Sequence, residues 1–217
     1  PTQRLQRITK DVFDDLEPTY VEGGDFKGIL FISNRNNDTL NLKGNQAYNA
    51  MSYDVFYYDL LKKRETLARI TETPNIREYA PMAYNQTHFS FLSDYGLGSG
   101  NRFLSQIDSV FARYDTMVVL NDSLVINPSI PIEVLEASPN DSIQSWELLK
   151  VYRQIGRNWC VSNLERGLID QDRASKSNKH LNLINYKKRR CVYIEKIKPT
   201  LVSDMIRQPS ALFKNNK

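Results

Sequence analysis

Apolar residues in the first segment fall three or four apart, at Leu5, Ile8, Val12, Phe13 and Leu16, and Pro18 follows. That spacing over Arg4 to Leu16 predicts an amphipathic helix of about three turns. After the Gly23-Gly24 turn, the continuous run Lys27-Gly28-Ile29-Leu30-Phe31-Ile32-Ser33 predicts a buried strand, and the turn formers of Asn34 to Asp38 end it. Thr39 to Leu42 is placed as a second strand returning beside it. From Asn45 to Ile70 the positions Ala47, Tyr48, Met51, Val55, Phe56, Leu60, Leu61 and Leu67 follow a broadly helical pattern. Thr71 to Gly100, punctuated by Pro74, Pro81, Gly96, Gly98 and Gly100, reads as a long irregular excursion.

Helical spacing returns at Asn101 to Tyr114, through Phe103, Leu104, Ile107, Val110 and Phe111. Strands are expected at Thr116 to Leu120, Leu124 to Ile126 and Ile130 to Leu135, a small meander near 116–135. Ser138-Pro139-Asn140-Asp141 opens a predicted helix over Ser142 to Ile155, with Ile143, Trp146, Leu149 and Tyr152 toward a core and Gly156 as its stop. A further helical stretch, Trp159 to Asp170, leads into an exposed loop at Gln171 to Lys179. A hairpin with a basic turn is expected near 181–197, then a short helix near Leu201 to Ile206. No internal repeat or heptad array stands out. The expected fold class is α+β: amphipathic helices packed on short, mostly antiparallel strands. Residues 1–158 form an acidic core, and 159–217 a basic C-terminal extension packed on the same domain.

Composition narrows the class. With 217 residues, 41% of them hydrophobic, the chain can build a core. No apolar run reaches the roughly 18 residues of a membrane helix. The opening Pro1-Thr2-Gln3-Arg4-Leu5 lacks the apolar stretch of a signal peptide, and a leading Pro is what removal of an initiator Met leaves; the expected location is a virion or host cytoplasm, neither secreted nor membrane-spanning. Cys160 and Cys191, set among apolar neighbours, read as buried thiols. The four Asn-x-Ser/Thr matches, at Asn37, Asn85, Asn121 and Asn140, read as coincidence in a chain with 19 Asn. Charge is uneven: residues 1–149 carry 13 Lys and Arg against 20 Asp and Glu, and residues 150–217 carry 16 against 5, net −7 and +11. Such a split suits a polyanionic partner or head-to-tail contact between copies.

Catalytic patterns are thin. The two His, His88 and His180, lie far apart, and no Cys-x-x-Cys or His-x-x-x-His spacing exists, so no metal or cofactor is expected. A Cys160 or Cys191 pairing with His180 lacks a helix N-terminus or an oxyanion-hole motif beside it. Gly96-Leu97-Gly98-Ser99-Gly100 before a helix could form an anion nest, but a turn into the helix is the simpler reading. Asp11, Asp14, Asp15 and Glu17 read as a solvated helix face; Asp115 and Asp122 flank a strand. Glu195, with Lys196 and Lys198 one and three residues on, misses the spacing of a metal-dependent nuclease, because odd offsets put the lysines on the opposite strand face.

The signal left is basic: Lys187, Lys188, Arg189 and Arg190, with Lys196 and Lys198 nearby and Tyr186 and Tyr193 interleaved. It has the ingredients of a phosphate-backbone surface, and equally of a solvated turn or a patch docking on an acidic neighbour. The expected function is a non-enzymatic structural subunit of a large multi-chain particle, of the virion or phage connector kind, whose partners are copies of itself and other subunits. The Asn and Tyr content suits an AT-rich genome such as a phage's. The alternative is a nucleic-acid-binding protein using the basic hairpin.

Overall fold

The computed structural model describes residues 5–23, 26–41, 52–63, 65–95, 100–120, 123–127, 143–162, 167–174, 177 and 179–196. Among them there is no helix: the fold is all-β, which corrects the α+β expectation. The strands are β1 (Asp15–Gly23), β2 (Phe26–Ser33), β3 (Asp54–Asp59), β4 (Ala68–Arg69), β5 (Glu78–Ala83), β6 (Phe89–Ser93), β7 (Asn101–Leu120), β8 (Leu124–Ile126), β9 (Ile143–Cys160), β10 (Leu168–Arg173), β11 (Lys179–Tyr186) and β12 (Arg189–Lys196). The helices expected over 45–70, 101–114, 142–155 and 159–170 are replaced by β3 with β4, by β7, by β9, and by the end of β9 with β10. The physical reason is residue type. Val, Ile, Tyr, Phe and Trp recur through these segments, and branched and aromatic side chains fit a pleated surface better than a helix. Of the predicted first helix, the described residues 5–14 carry no regular structure and Asp15 and Leu16 open β1. The strand expected at 130–135 and the helix at 201–206 lie outside the described residues.

Other expectations fare differently. The buried strand over 27–33 is β2, the hairpin near 181–197 is β11 with β12, and the 116–120 and 124–126 strands pair antiparallel through Val118↔Val125. Thr39 bridges Thr66 instead of pairing with β2. Residues 71–100 hold β5 and β6.

A recurring unit, which the sequence did not disclose, organises the chain. β1, β2 and β3 pair antiparallel in turn; so do β5, β6 and β7, and β10, β11 and β12. In each meander the first strand carries a register shift near its start: after Leu16, after Tyr79 and after Leu168. Glu17 and Ala80 sit at matching places with φ of 52° and 48°, each followed by Pro, so the same left-handed bulge is built twice. Matched second strands read Phe31-Ile32-Ser33-Asn34, Phe91-Leu92-Ser93-Asp94 and Leu183-Ile184-Asn185-Tyr186. The repeat is three short alternations separated by unequal spacers, which hides it from a fixed-period search.

The bulges also meet. The Ala80 N–H donates to Glu17 Oε2 at 2.6 Å, and Gln171 Nε2 donates to the Ala80 carbonyl at 2.8 Å. β4 follows β3, and β9 lies beside β7, so the first two meanders each gain a fourth strand; β4 and β9 are joined by the parallel bridge Arg69↔Ile155. There Gly156, expected to stop a helix, lies against the Ile70 backbone, where a Cβ has no room.

The described residues of Pro1–Asp108 and Ile155–Lys217 form one compact unit, and those of Ser109–Gln154 a second. The core lies in the first. Leu30, Ile32, Val55 and Tyr57 pack on Phe89 and Phe91, one sheet face on another. On the opposite face of the first meander, Phe31 and Phe56 stack at 6.1 Å under Leu40 and Leu67.

Candidate functional site

The basic hairpin is built from its turn upward. Lys187 and Lys188 are the two turn residues between β11 and β12, with φ of 47° and 64°, so both occupy the left-handed region a type I′ turn requires. Asn-Gly suits such a turn, and a lysine at each place costs about 1 kcal/mol or more. Lys187 Nζ lies 5.4 Å from the Tyr186 ring. Beyond the turn, strand alternation divides the cations. Arg190 and Lys196 share a face with Val192 and Ile194, while Arg189 shares the other with Cys191, Tyr193 and Glu195. Lys198 lies outside the described residues. Of the expected basic residues, Lys187 to Arg190 therefore gather at the tip, Lys196 stands at the far end of β12 opposite Lys179, and they form no single flat patch.

The face carrying Glu195 looks inward. Arg102 of β7 donates through Nη1 to Glu195 Oε2 at 3.0 Å, through Nε to Gln171 Oε1 at 2.8 Å, and through Nη2 to Asn182 Oδ1. His180 is buried beside them, edge-on to Tyr84 at 4.6 Å. Burial and the Arg102 charge push its imidazole down to about 4, and its Nε2 has no partner among the described residues. Cys191 lies four cross-strand positions away, opposite Ile184, so the Cys191–His180 pairing is not formed. Cys160 is turned to the Ser162 carbonyl, 3.2 Å away, and burial raises its thiol pKa.

A second buried cluster went unread in the sequence. Asp54 Oδ2 accepts from Arg69 Nη2 at 2.5 Å, and Asp54 Oδ1 accepts from the Thr73 N–H at 3.0 Å. Glu78 is buried next to it and takes the hydroxyls of Thr71 and Thr73, the latter at 2.8 Å. Burial pushes the Glu78 carboxyl up to about 7; the two hydroxyls oppose that, and Asp54 adds to it. The sequence signal was a Glu at the head of the apolar run Tyr79 to Ala83. The acidic run at the start is likewise structural: Asp11 and Asp15 hold the buried Arg35 guanidinium at 3.3 and 2.7 Å, where the sequence suggested a solvated helix face.

Residues 96–99, part of the expected anion nest, lie outside the described residues, and β7 stands where the nest's helix was expected. Among the described residues, no three His, Cys, Asp or Glu side chains gather as a metal site. Among the described residues there is no helix long and apolar enough to cross a membrane. A cleft of about 500 Å³ opens where β1, β5 and β10 meet, lined by Tyr20, Glu22, Asn85, Gln86, Asp172 and Arg173 among others, with both charge signs present.

The second unit is different in kind. Phe111 and Tyr114 of β7 lie against each other at 4.9 Å, and Phe111 meets Tyr152 of β9 edge-on at 6.2 Å; all three rings are about half exposed. Trp146 and Leu148 share the Tyr152 face of β9, and Leu124 and Ile126 share one face of β8; these four are exposed too. Among the described residues of this unit, only Asp115 and Val118 are buried. Trp146 and Tyr152, expected to face a core, line an uncovered surface instead. No known protein family, curated protein or solved structure matches the chain.

Proposed function

We propose that the chain is a non-enzymatic structural subunit of a multi-chain assembly, joined through strand surfaces, with other copies of itself as its first partners. The observation that carries this reading is how little of the second unit is buried: among its described residues, only Asp115 and Val118. Seven large apolar side chains stand exposed among those described residues, and a narrow β-ribbon with so much apolar surface in water is marginal by itself. The uneven charge, net −7 before residue 150 and +11 from there on, lets one copy's acidic part face another's basic part. A virion or phage ring as the particle belongs to the same proposal and draws on the Asn and Tyr content.

The second reading, nucleic-acid binding, draws on four consecutive cations at the β11–β12 tip with Tyr186 beneath Lys187. One comparison separates the two. The triple variant Trp146→Ser, Leu148→Ser, Tyr152→Ser is measured by light scattering behind a sizing column, beside wild type and beside Lys187→Asn with Lys188→Gly. Assembly predicts that the triple variant loses the higher-mass species and the turn variant keeps it. A wild-type monomer that gains mass only with DNA or RNA, and only while Lys187 and Lys188 are present, would replace the assembly reading.

A further inference from the structure

The outward face of the third meander carries an inference that rests on the assembly reading and gives it a geometry. Cross-strand register puts Leu181 opposite Ile194 and Leu183 opposite Val192, so the four form one apolar strip across β11 and β12. Val192 and Ile194 are 65% and 66% exposed. The matching pairs in the other meanders, Phe31 with Phe56 and Phe91 with Phe103, are stacked and wholly or largely covered. A meander that ended a stack would turn a polar face outward. This face is apolar at its centre, which suits a surface that meets another.

Its margins say which. On the β10 side, Asp170 stands opposite Leu183 and Asp172 opposite Leu181, both exposed. On the β12 side, Arg190 and Lys196 bracket the strip, and Lys196 lies directly opposite Lys179, a repulsive like-charge pair. No ion pair engages any of these five side chains among the described residues.

From this arrangement we infer that the face docks on the same face of a second copy, about a two-fold axis lying in the interface and parallel to the strands. That rotation keeps position along the strands and exchanges the margins. Asp170 and Asp172 of one copy then lie over the β12 margin of the other, within one cross-strand row, about 7 Å, of Arg190 and Lys196. The other in-plane axis, across the strands, would set acid over acid. Closure is isologous, so the contact makes a dimer and stops. Three strands give a face only about 14 Å wide, at the small end of specific interfaces, so the dimer is a weak one.

The test is sedimentation velocity on the full chain over a concentration series, with circular dichroism as the folding control. The variants are Asp170→Lys with Asp172→Lys, Arg190→Glu with Lys196→Glu, and all four together. Each double variant is expected to weaken the dimer at least tenfold; the quadruple variant, and an equimolar mixture of the two doubles, are expected to restore it. If all variants dimerise like wild type, this face is not the contact, while assembly through the second unit stands. If both doubles weaken the dimer and neither rescue works, the two-fold arrangement is overturned. If wild type stays monomeric throughout, this inference and the assembly reading fall together. Capture of the face by a different chain would show as mass gained only on mixing with that chain, which also overturns self-docking.

Discussion

The first and third meanders are laid out alike and spend their apolar residues differently. Each is three antiparallel strands with a bulge near the start of the first. In the first, both faces are covered: Leu30, Ile32, Val55 and Tyr57 on one side, Phe31 and Phe56 on the other. In the third, the inward face carries a polar network around Arg102, and Leu181, Val192 and Ile194 look outward. Strand layout follows from local alternation and the bulge; which face becomes core follows from what packs against it. A covered face stabilises the fold, and an uncovered one is available for a partner.

Truncation separates the two meanders most sharply. Phe56 is fully buried in the first, and Phe56→Ala should cost about 3–5 kcal/mol in urea unfolding, through lost transfer energy and an unfilled cavity. Val192→Ala at the matching place in the third is expected to stay within about 0.5 kcal/mol at monomer concentrations. Equal losses at the two sites would erase the distinction.

Acidity sets the two regions apart in the opposite sense. Glu78, beside the first meander, is raised from 4.5 to about 7 by burial, so its stabilising protonated form is complete below pH 4.5 and is lost as pH rises toward 7. Glu78→Gln is expected to remove that decline, at most about 3 kcal/mol, from unfolding free energies measured between pH 4.5 and 8. His180, in the third meander, is lowered from 6.5 to about 4, so its contribution is complete above pH 6.5 and lost as pH falls toward 4. A His180→Gln chain should lack that acid-side loss, and a variant that keeps it would place its origin elsewhere.

A smaller effect than that of Phe56 or Glu78 lies in the hairpin turn. Lys187→Asn with Lys188→Gly relieves two left-handed lysines and is expected to raise stability by about 1 kcal/mol, read as a higher urea midpoint at unchanged slope. A fall would mean that the lysine side chains contribute more than their backbone geometry costs.

What could be read from the sequence divides along physical lines. The β2 strand was legible as a short apolar run between turn formers, and the β11–β12 hairpin from the alternation on either side of its basic turn. The long strands β7 and β9 were not: Ile143, Trp146, Leu149 and Tyr152 satisfy a helical spacing, while Trp146, Leu148 and Tyr152 satisfy a strand's, and only pairing with a neighbour decides. Proposed contacts were half visible. The basic run Lys187 to Arg190 stands out in any reading of charge, but its division between two faces depends on register. Asp170 stood at the end of an expected helix and Asp172 in an expected exposed loop, and their place beside Leu183 and Leu181 exists only once β10 pairs with β11.

The claim that uncovered strand faces make this chain an assembly subunit is tested most directly by its mass in solution. Sedimentation equilibrium of the full, nucleic-acid-free chain over a hundredfold range of concentration should give a weight-average mass rising above the 25.2 kDa of one chain. A mass fixed at that of one chain across the whole range would contradict it.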